Sequence, residues 1–332
     1  MKNFKKLFNK TETFLFIIII VFSLIIFSLN RSFLLPENLL GLLKSYSFSG
    51  IVSVGVFLIL LSGGVDLSFM AITTVSMYMM GSYIISTSNG NVALAFLICG
   101  SMGIILGAIN GFLVYYFKIA TLIVTLGTMN LFYGVMMFFS KSRDIYNLPQ
   151  WFRNFTTFSV PFGKNAQMSV FIIMWILVIL VTWFILKYTV LGRGVYALGG
   201  GGINKARQAG FNVRAITMFI YCYAGFLYGI ASVISAGTID QILPTSLVGK
   251  EMPIIAAVVV GGASLAGGSG SLFGVTLGVI LLSLIRNGLT LMKVTSYYQG
   301  VVMGIIILVS IIITNFRLRS LTKTISKIDI EY

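Results

Sequence analysis

The chain has 332 residues, of which 58% are hydrophobic and 9% are charged, and its mean hydropathy is +1.00. Because a soluble domain carries roughly 25% charged residues, this composition excludes an ordinary water-soluble fold. The formal net charge of +15 comes largely from basic residues that flank apolar segments. It therefore does not indicate nucleic acid as a partner.

Ten apolar stretches predict transmembrane helices, because about 20 residues of helix cross the hydrocarbon core of a bilayer. The strands of a membrane barrel would alternate polar and apolar residues, and these stretches do not. The predicted fold is all-α, a polytopic helical membrane protein with a single transmembrane domain over residues 1–332. The predicted spans are 14–29, 47–63, 67–86, 92–116, 119–139, 168–186, 215–236, 254–263, 273–290 and 298–315.

Charge predicts the orientation of these spans. An even number of crossings places both termini on one side, together with the N-terminal segment 1–12, the loop 187–214 and the tail 316–332. That side holds most of the 23 basic residues. Positive residues concentrate in cytoplasmic loops, so we expect both termini in the cytoplasm. No small-residue cleavage site follows Leu29, so the first span is expected to be an uncleaved helix.

The residue types that most catalytic sites need are scarce. There are no histidines and two cysteines, which excludes a Ser-His-Asp triad, a His/Cys metal site and a His-ligated haem. The glycine-rich run 261–270 lacks the Lys-Ser/Thr pair that completes a phosphate-binding loop. We therefore expect no catalytic residue, metal or cofactor in this chain. If ATP drives it, a separate subunit hydrolyses the ATP.

Glycines spaced by four predict close helix packing, since small residues let helix backbones approach each other in lipid. Contacts within one bundle are the main interpretation, and a contact between two copies is the alternative. The glycines concerned are Gly103, Gly107, Gly111, Gly225, Gly229, Gly270, Gly274 and Gly278.

Two segments interrupt the apolar pattern. Residues 62–68, Ser-Gly-Gly-Val-Asp-Leu-Ser, place Asp66 and two glycines between two spans, and Gly-Gly-Ala-Ser-Leu-Ala at 261–266 echoes them. Interrupted helices in two halves of a membrane protein point to a transport pathway. The alternative is a pair of tight turns held by Asp66 and Ser264. We expect Asp66 to cap the following helix at the cytoplasmic end of the third span, where it shapes an inner gate.

Glu251 opens the second interrupted segment, and Pro253 follows it. Both residue types suit the first turn of a helix. The apolar run up to Gly261 makes roughly 15 Å of helix, about half of a bilayer core. The sequence predicts a short, protein-shielded helix at 254–263. Its non-helical continuation at 264–270 is expected to face a translocation path or a dimer axis.

The loop 187–214 is expected to form a cytoplasmic docking element, because it contains basic residues and no acidic ones. Asn204 suits the N-cap of a short helix over 203–210, and Gly210 suits its C′ position. A plain connecting loop is the alternative. A flexible connector, however, would not need a capped helix.

Four polar residues within or beside predicted spans are candidates for contact with a hydroxylated solute. The alternative is that each bridges neighbouring helices inside the bundle. They are Asn110, Asn130, Asn287 and Gln299.

Several motifs resemble those of a known family. They are Ser62-Gly-Gly-Val-Asp-Leu-Ser68, the loop Gly192-Arg-Gly-Val-Tyr-Ala-Leu-Gly-Gly200 with Ala206-Arg-Gln-Ala-Gly210, Glu251 with the run 255–268, and Ser296-Tyr-Tyr-Gln299. Together they resemble the permease subunits of ribose-type ABC importers, a family that also contains arabinose, xylose, galactose and autoinducer-2 permeases. The resemblance covers about residues 33–315.

The resemblance implies a permease that imports a monosaccharide or a related small hydroxylated solute across a bacterial cytoplasmic membrane. Its implied partners are a second copy of itself, a cytoplasmic ATPase subunit, an extracytoplasmic sugar-binding protein that carries most of the specificity, and membrane lipid. The 187–214 helix would then be the coupling element, with Arg193, Asn204, Lys205, Arg207 and Gly210 as its functional residues. The alternative is a secondary transporter or facilitator that works without ATP.

Overall fold

A computed structural model of the chain describes residues 11–306 except 88–89 and 163–165, and also describes 308, 309 and 312. Nearly all of the predicted segment 1–12, the end of the last predicted span and the whole tail 316–332 lie outside these residues. The helices are α1 (Thr11–Leu29), α2 (Pro36–Leu61), α3 (Phe69–Thr87), α4 (Val92–Phe117), α5 (Thr121–Ser140), α6 (Gln150–Thr157), α7 (Val170–Tyr188), α8 (Val190–Gln208), α9 (Val213–Ile239), α10 (Glu251–Val260) and α11 (Leu272–Leu291), with a 3-10 turn at Arg31–Leu34. Residues 296–306 are also helical.

The predicted helical membrane fold is confirmed. Within the described residues, eight helices are long and apolar enough to cross a membrane. The short helix α10 and the helical residues 296–306 stand at the two remaining predicted spans. Both interruptions are present as well, because residues 62–68 and 261–270 are largely non-helical.

One span boundary was predicted wrongly. We expected the second span to begin near residue 47, whereas α2 begins at Pro36 and has 26 residues. Glu37 and Lys44 interrupt the apolar run and concealed the first turns. Pro36 occupies the first helical position, where its fixed φ and missing N–H are tolerated.

A small platform between α5 and α7 was not predicted. It consists of α6 and an antiparallel hairpin of β1 (Ser159–Phe162) and β2 (Ala166–Ser169), in which Ser159 pairs with Ser169. A backbone bridge joins Ile145, in the connection that leads into α6, to Ile242 in the segment after α9. An ion pair between Arg153 Nε and Asp240 Oδ1, 3.2 Å long, ties the platform to the same segment.

Helix α9 lies at the centre of the bundle and packs on α2, α3 and α4. Its closest approach is to α4, where Gly225 and Gly229 meet Gly103 and Gly107. A Cβ atom on Gly103 would collide with the Gly225 carbonyl, and one on Gly107 would collide with the Tyr221 carbonyl. The two backbones are therefore in direct contact.

The other predicted glycines pack differently from one another. Gly111 faces Tyr221 and Met218 in the α4–α9 contact, and Gly274 and Gly278 bring α11 against the backbone of α10. The prediction that Gly270 packs a helix was wrong, because this residue lies in the non-helical segment before α11, with φ +147°. A residue in that backbone region cannot extend a helical stripe.

Candidate functional site at the two helix breaks

The two interrupted segments meet in space although they are far apart in the sequence. Helix α2 ends at Leu61, and the non-helical segment after α10 returns to it. The Gly268 N–H donates a hydrogen bond to the Leu61 carbonyl, with an N–O distance of 2.9 Å. The similarity of the two motifs in the sequence thus corresponds to a physical contact between the two breaks.

Helix α8 packs into the same place. A Cβ atom on Gly199 would collide with the Leu61 carbonyl and with the Gly268 nitrogen. A Cβ atom on Gly267, which has φ +86°, would lie 2.6 Å from the Gly63 Cα. We call these five residues, Leu61, Gly63, Gly199, Gly267 and Gly268, the glycine junction. Three separate segments contact one another there through backbone atoms alone.

A cavity of about 470 Å³ lies beside the glycine junction. Both breaks, α8, α9 and the α4–α5 connection form its walls. Its polar side chains include Ser62, Lys118, Thr121 and Tyr221, and Ala266 contributes from the second break. The cavity is within the range of about 300–1,000 Å³ found for small-molecule sites.

The first break is fastened to the start of α5 by two threonines. Thr121 Oγ1 accepts a hydrogen bond from Val65 N at 2.9 Å. Thr125 Oγ1 accepts one from Leu67 N at 3.2 Å and donates one to the Val65 carbonyl at 3.2 Å. These bonds satisfy backbone groups that the interruption leaves without helical partners.

Asp66 is buried in this break, with only 2% of its surface exposed. Its Oδ1 accepts hydrogen bonds from Ser68 N at 2.7 Å and from Ser68 Oγ at 2.6 Å. Asn110 on α4 donates from Nδ2 to Ser68 Oγ at 2.7 Å. We expected Asp66 to cap the following helix. Instead, its carboxylate closes a turn ahead of α3, and Ser68 is the residue whose carbonyl accepts from Ile72 in the first helical turn.

Buried polar atoms without a hydrogen-bond partner surround this turn. Among the described residues they include Asp66 Oδ2, Asn110 Oδ1 and the hydroxyls of Tyr221 and Tyr228 on α9. Both tyrosines lie within electrostatic reach of Asp66, and the Tyr228 hydroxyl interacts with the Asp66 carboxylate, although the pair falls outside strict hydrogen-bond geometry. Sequence reasoning missed both tyrosines. Their spacing of seven residues, with Gly225 four residues after Tyr221, nevertheless places Tyr221, Gly225 and Tyr228 on one face of α9.

Helix α8 differs from its prediction at one end and agrees at the other. It begins at Val190 with Thr189 as its N-cap, and Thr189 Oγ1 accepts from Gly192 N at 3.2 Å. Its backbone breaks at Gly202, with φ 72° and ψ 177°. A short helical segment therefore follows Gly202, within the predicted range 203–210, but the non-helical residue that precedes it is Gly202, so the cap expected from Asn204 is wrong. Asn204 is an exposed residue just after the break.

Gly210 ends the helix as predicted. Its φ is +82°, its N–H donates to the Arg207 carbonyl, and Phe211 N donates to the Ala206 carbonyl. These two bonds form a Schellman motif, in which glycine adopts the left-handed conformation at low cost. The basic residues Arg193, Lys205 and Arg207 are all exposed.

Helix α10 starts at Glu251, slightly before the predicted 254, because Pro253 is accommodated within its first turn. Glu251 is 7% exposed and its Oε1 accepts from Gly249 N at 3.0 Å. Ser264 organises the following turn: its N–H donates to the Ser269 carbonyl, and its Oγ accepts from Ala266 N at 3.2 Å.

The remaining polar candidates make contacts elsewhere in the bundle. Asn287 and Asn38 exchange side-chain hydrogen bonds of 3.2 and 3.4 Å, which joins α11 to α2. Gln299 Nε2 donates to the Val294 carbonyl at 2.8 Å. Asn130 is exposed, and its Nδ2 donates to the Leu126 carbonyl of its own helix at 2.9 Å. None of these three candidates lines the cavity in the part of the chain that the structure describes.

The bundle, its paired breaks and the cavity beside them define an integral membrane transport protein. The family described as the branched-chain amino acid transport system permease component matches residues 38–311, so the chain belongs to this permease family. Relatives include the ribose import permease RbsC of Escherichia coli K12, 33% identical with 90% of this chain and 92% of the relative covered. RbsC of Bacillus subtilis is 34% identical, with 90% of each chain covered. The D-allose permease AlsC of Escherichia coli K12 is 33% identical, with 93% and 92% covered.

These findings confirm the predicted resemblance. The chain is the transmembrane permease subunit of an ABC importer, and the ATP-independent alternative is not favoured. The relatives are permeases rather than enzymes. No solved structure matches the chain.

Proposed function

We propose that the chain imports a monosaccharide, or a related small hydroxylated solute, delivered by an extracytoplasmic binding protein. The names of the relatives support this substrate class, since they are permeases for ribose and allose. The cavity beside the glycine junction supports it as well. It is large enough for a monosaccharide, and Ser62 and Thr121 bring hydroxyl-bearing side chains to its wall.

A cytoplasmic ATPase supplies the energy by docking on α8. The observation that carries this proposal is the contact of α8 with both helix breaks. Arg193, Lys205 and Arg207 are exposed, and the helix carries no acidic residue. We expect them to meet an acidic groove on the ATPase. Asn204 is an exposed residue of the docking segment just after the break, and Gly210 sets its end.

Two copies of the chain form the permease in the bacterial cytoplasmic membrane, with bilayer lipid around them. The excess of basic residues in 1–12, 187–214 and 316–332 supports a cytoplasmic location of both termini, on the side of α8. The hairpin platform between α5 and α7 then lies on the opposite side, where a binding protein delivers its solute.

Reconstitution tests this function. The chain is placed in proteoliposomes with the ATPase and the binding protein of its own bacterium, and uptake of labelled ribose, allose and galactose is measured with and without ATP. We expect one of these sugars, or a related polyol, to be taken up only when ATP and both partners are present. Uptake driven by an ion gradient in liposomes that hold this chain alone would contradict the proposal.

A further inference from the structure

The glycine junction holds three segments together without any intervening side chain. Helix α8 contributes Gly199, the first break contributes Leu61 and Gly63, and the second break contributes Gly267 and Gly268. A side-chain contact can absorb a displacement of its neighbour by changing rotamer. Packed backbone atoms cannot absorb such a displacement. A closely packed contact changes between discrete arrangements rather than deforming continuously.

The Leu61 carbonyl is the central atom of the junction. It lies directly against Gly199 and accepts the Gly268 hydrogen bond at 2.9 Å. Gly267 and Gly268 have φ of +86° and +71°, which favours glycine, so the return of the second break to this carbonyl depends on them. The first break continues from Gly63 to the buried turn of Asp66 and Ser68.

We infer that the glycine junction transmits the movement of α8 to both helix breaks at once. Gly199 is the positioning residue on the α8 side, because it is the glycine of α8 at which an added methyl group would collide with the Leu61 carbonyl. This inference rests on the proposed docking of the ATPase on α8. It adds a specific path from the docked helix to the cavity: Gly199, Leu61, and then the segments 62–68 and 264–270.

Two neighbouring glycines of α8 provide a matched pair of variants. Replacing Gly199 or Gly200 by alanine raises helix propensity by a similar amount. The two differ in their surroundings, since a Cβ on Gly200 has only the Gly268 Cα near it, at an ordinary 3.7 Å, whereas one on Gly199 would collide with the Leu61 carbonyl. Any difference between the variants therefore reports the contact rather than the helix.

The experiment measures ATP hydrolysis and solute uptake by the complete complex in proteoliposomes. For Gly199→Ala we expect the ATPase to assemble and hydrolyse ATP while uptake per ATP falls by about tenfold, because the added methyl group forces Gly199 away from the Leu61 carbonyl at a cost of about 1.4 kcal/mol. Gly200→Ala should keep the same uptake per ATP as the unmodified chain. Equal ratios in the two variants would overturn the inference. Failure of the unmodified chain to bind the ATPase would overturn the proposed function instead.

Hydrogen exchange on the unmodified complex gives a second test that does not depend on a variant folding. A nonhydrolysable ATP analogue should change the exchange of the α8 segment 196–201 together with that of 264–270. A change in α8 while 264–270 exchanges as before would show that the junction does not transmit the movement.

Discussion

At the scale of single residues, Asp66 explains why an acidic side chain can remain within an apolar bundle. One carboxylate oxygen accepts two short hydrogen bonds from Ser68, and Asn110 completes the network from α4. A buried polar group that loses its partner costs about 1–3 kcal/mol. Loss of any one of these three side chains therefore leaves a buried polar partner unpaired and destabilises the first break.

Two substitutions of Asp66 distinguish its role as a hydrogen-bond acceptor from the role of its negative charge. Asp66→Asn keeps an oxygen that can accept from Ser68, so we expect most uptake and thermal stability to be retained. Asp66→Leu leaves the Ser68 N–H and hydroxyl without this acceptor and should lose about 2–5 kcal/mol of stability. Thermal unfolding in detergent and uptake in proteoliposomes measure both effects. Equal, complete loss in the two variants would show that the negative charge itself is required.

Tyr228 is expected to support the same carboxylate. Its buried hydroxyl lies beside Asp66 and interacts with that carboxylate as a donor, so Tyr228→Phe removes this donor while keeping the ring that packs on Phe69 at 5.8 Å. Stability should fall by about 1 kcal/mol. An unchanged or higher midpoint of thermal unfolding would show that the hydroxyl does not stabilise the carboxylate.

At the scale of elements, the α4–α9 contact depends on glycine because the two backbones touch. Gly103→Ala places a methyl group against the Gly225 carbonyl, and the separation of the helices should destabilise the bundle by about 1–3 kcal/mol. Gly134→Ala on α5 is the control, because nothing lies within 4 Å of a Cβ at that position. If both variants unfold at the same temperature, the close approach contributes nothing to stability.

Helix α8 provides a second prediction at this scale. Arg207→Glu reverses an exposed charge in the docking segment, and we expect it to weaken ATPase assembly or uncouple hydrolysis from uptake, while membrane insertion stays normal. Arg143→Glu, an exposed reversal in the connection after α5, is the matched control and should assemble normally. Normal assembly and transport in Arg207→Glu would remove α8 as the docking element.

Helix existence could be predicted from the sequence far better than helix boundaries and contacts. Apolar length identified the spans because the bilayer sets it, and Gly210 marked the end of α8 because that position needs a left-handed residue. The first turns of α2 were missed because Glu37 and Lys44 interrupt the apolar run, and the helical part of α8 before Gly202 was missed because a glycine-rich sequence has low helix propensity.

At the scale of the whole molecule, long-range contacts decide where the site lies. The similarity of 62–68 and 261–266 indicated a shared role, but only the fold shows that Gly268 donates to the Leu61 carbonyl and that Gly199 packs against both. Tyr221 and Tyr228 were missed for the same reason. Nothing in a local pattern of apolar residues reveals which face of α9 will meet a buried carboxylate.

The central claim is that ATP-driven movement of α8 acts on a cavity formed by both breaks. Ser62 and Ala266 line this cavity from opposite breaks, so each is replaced by cysteine in a chain whose Cys99 and Cys222 have been changed to alanine. The rate of labelling by a small water-soluble thiol reagent is then measured in the complete complex, with and without a nonhydrolysable ATP analogue. We predict that both positions react and that nucleotide changes both rates in concert. The account would be contradicted if neither cysteine were labelled in any nucleotide state, or if the labelling rates were the same with and without nucleotide.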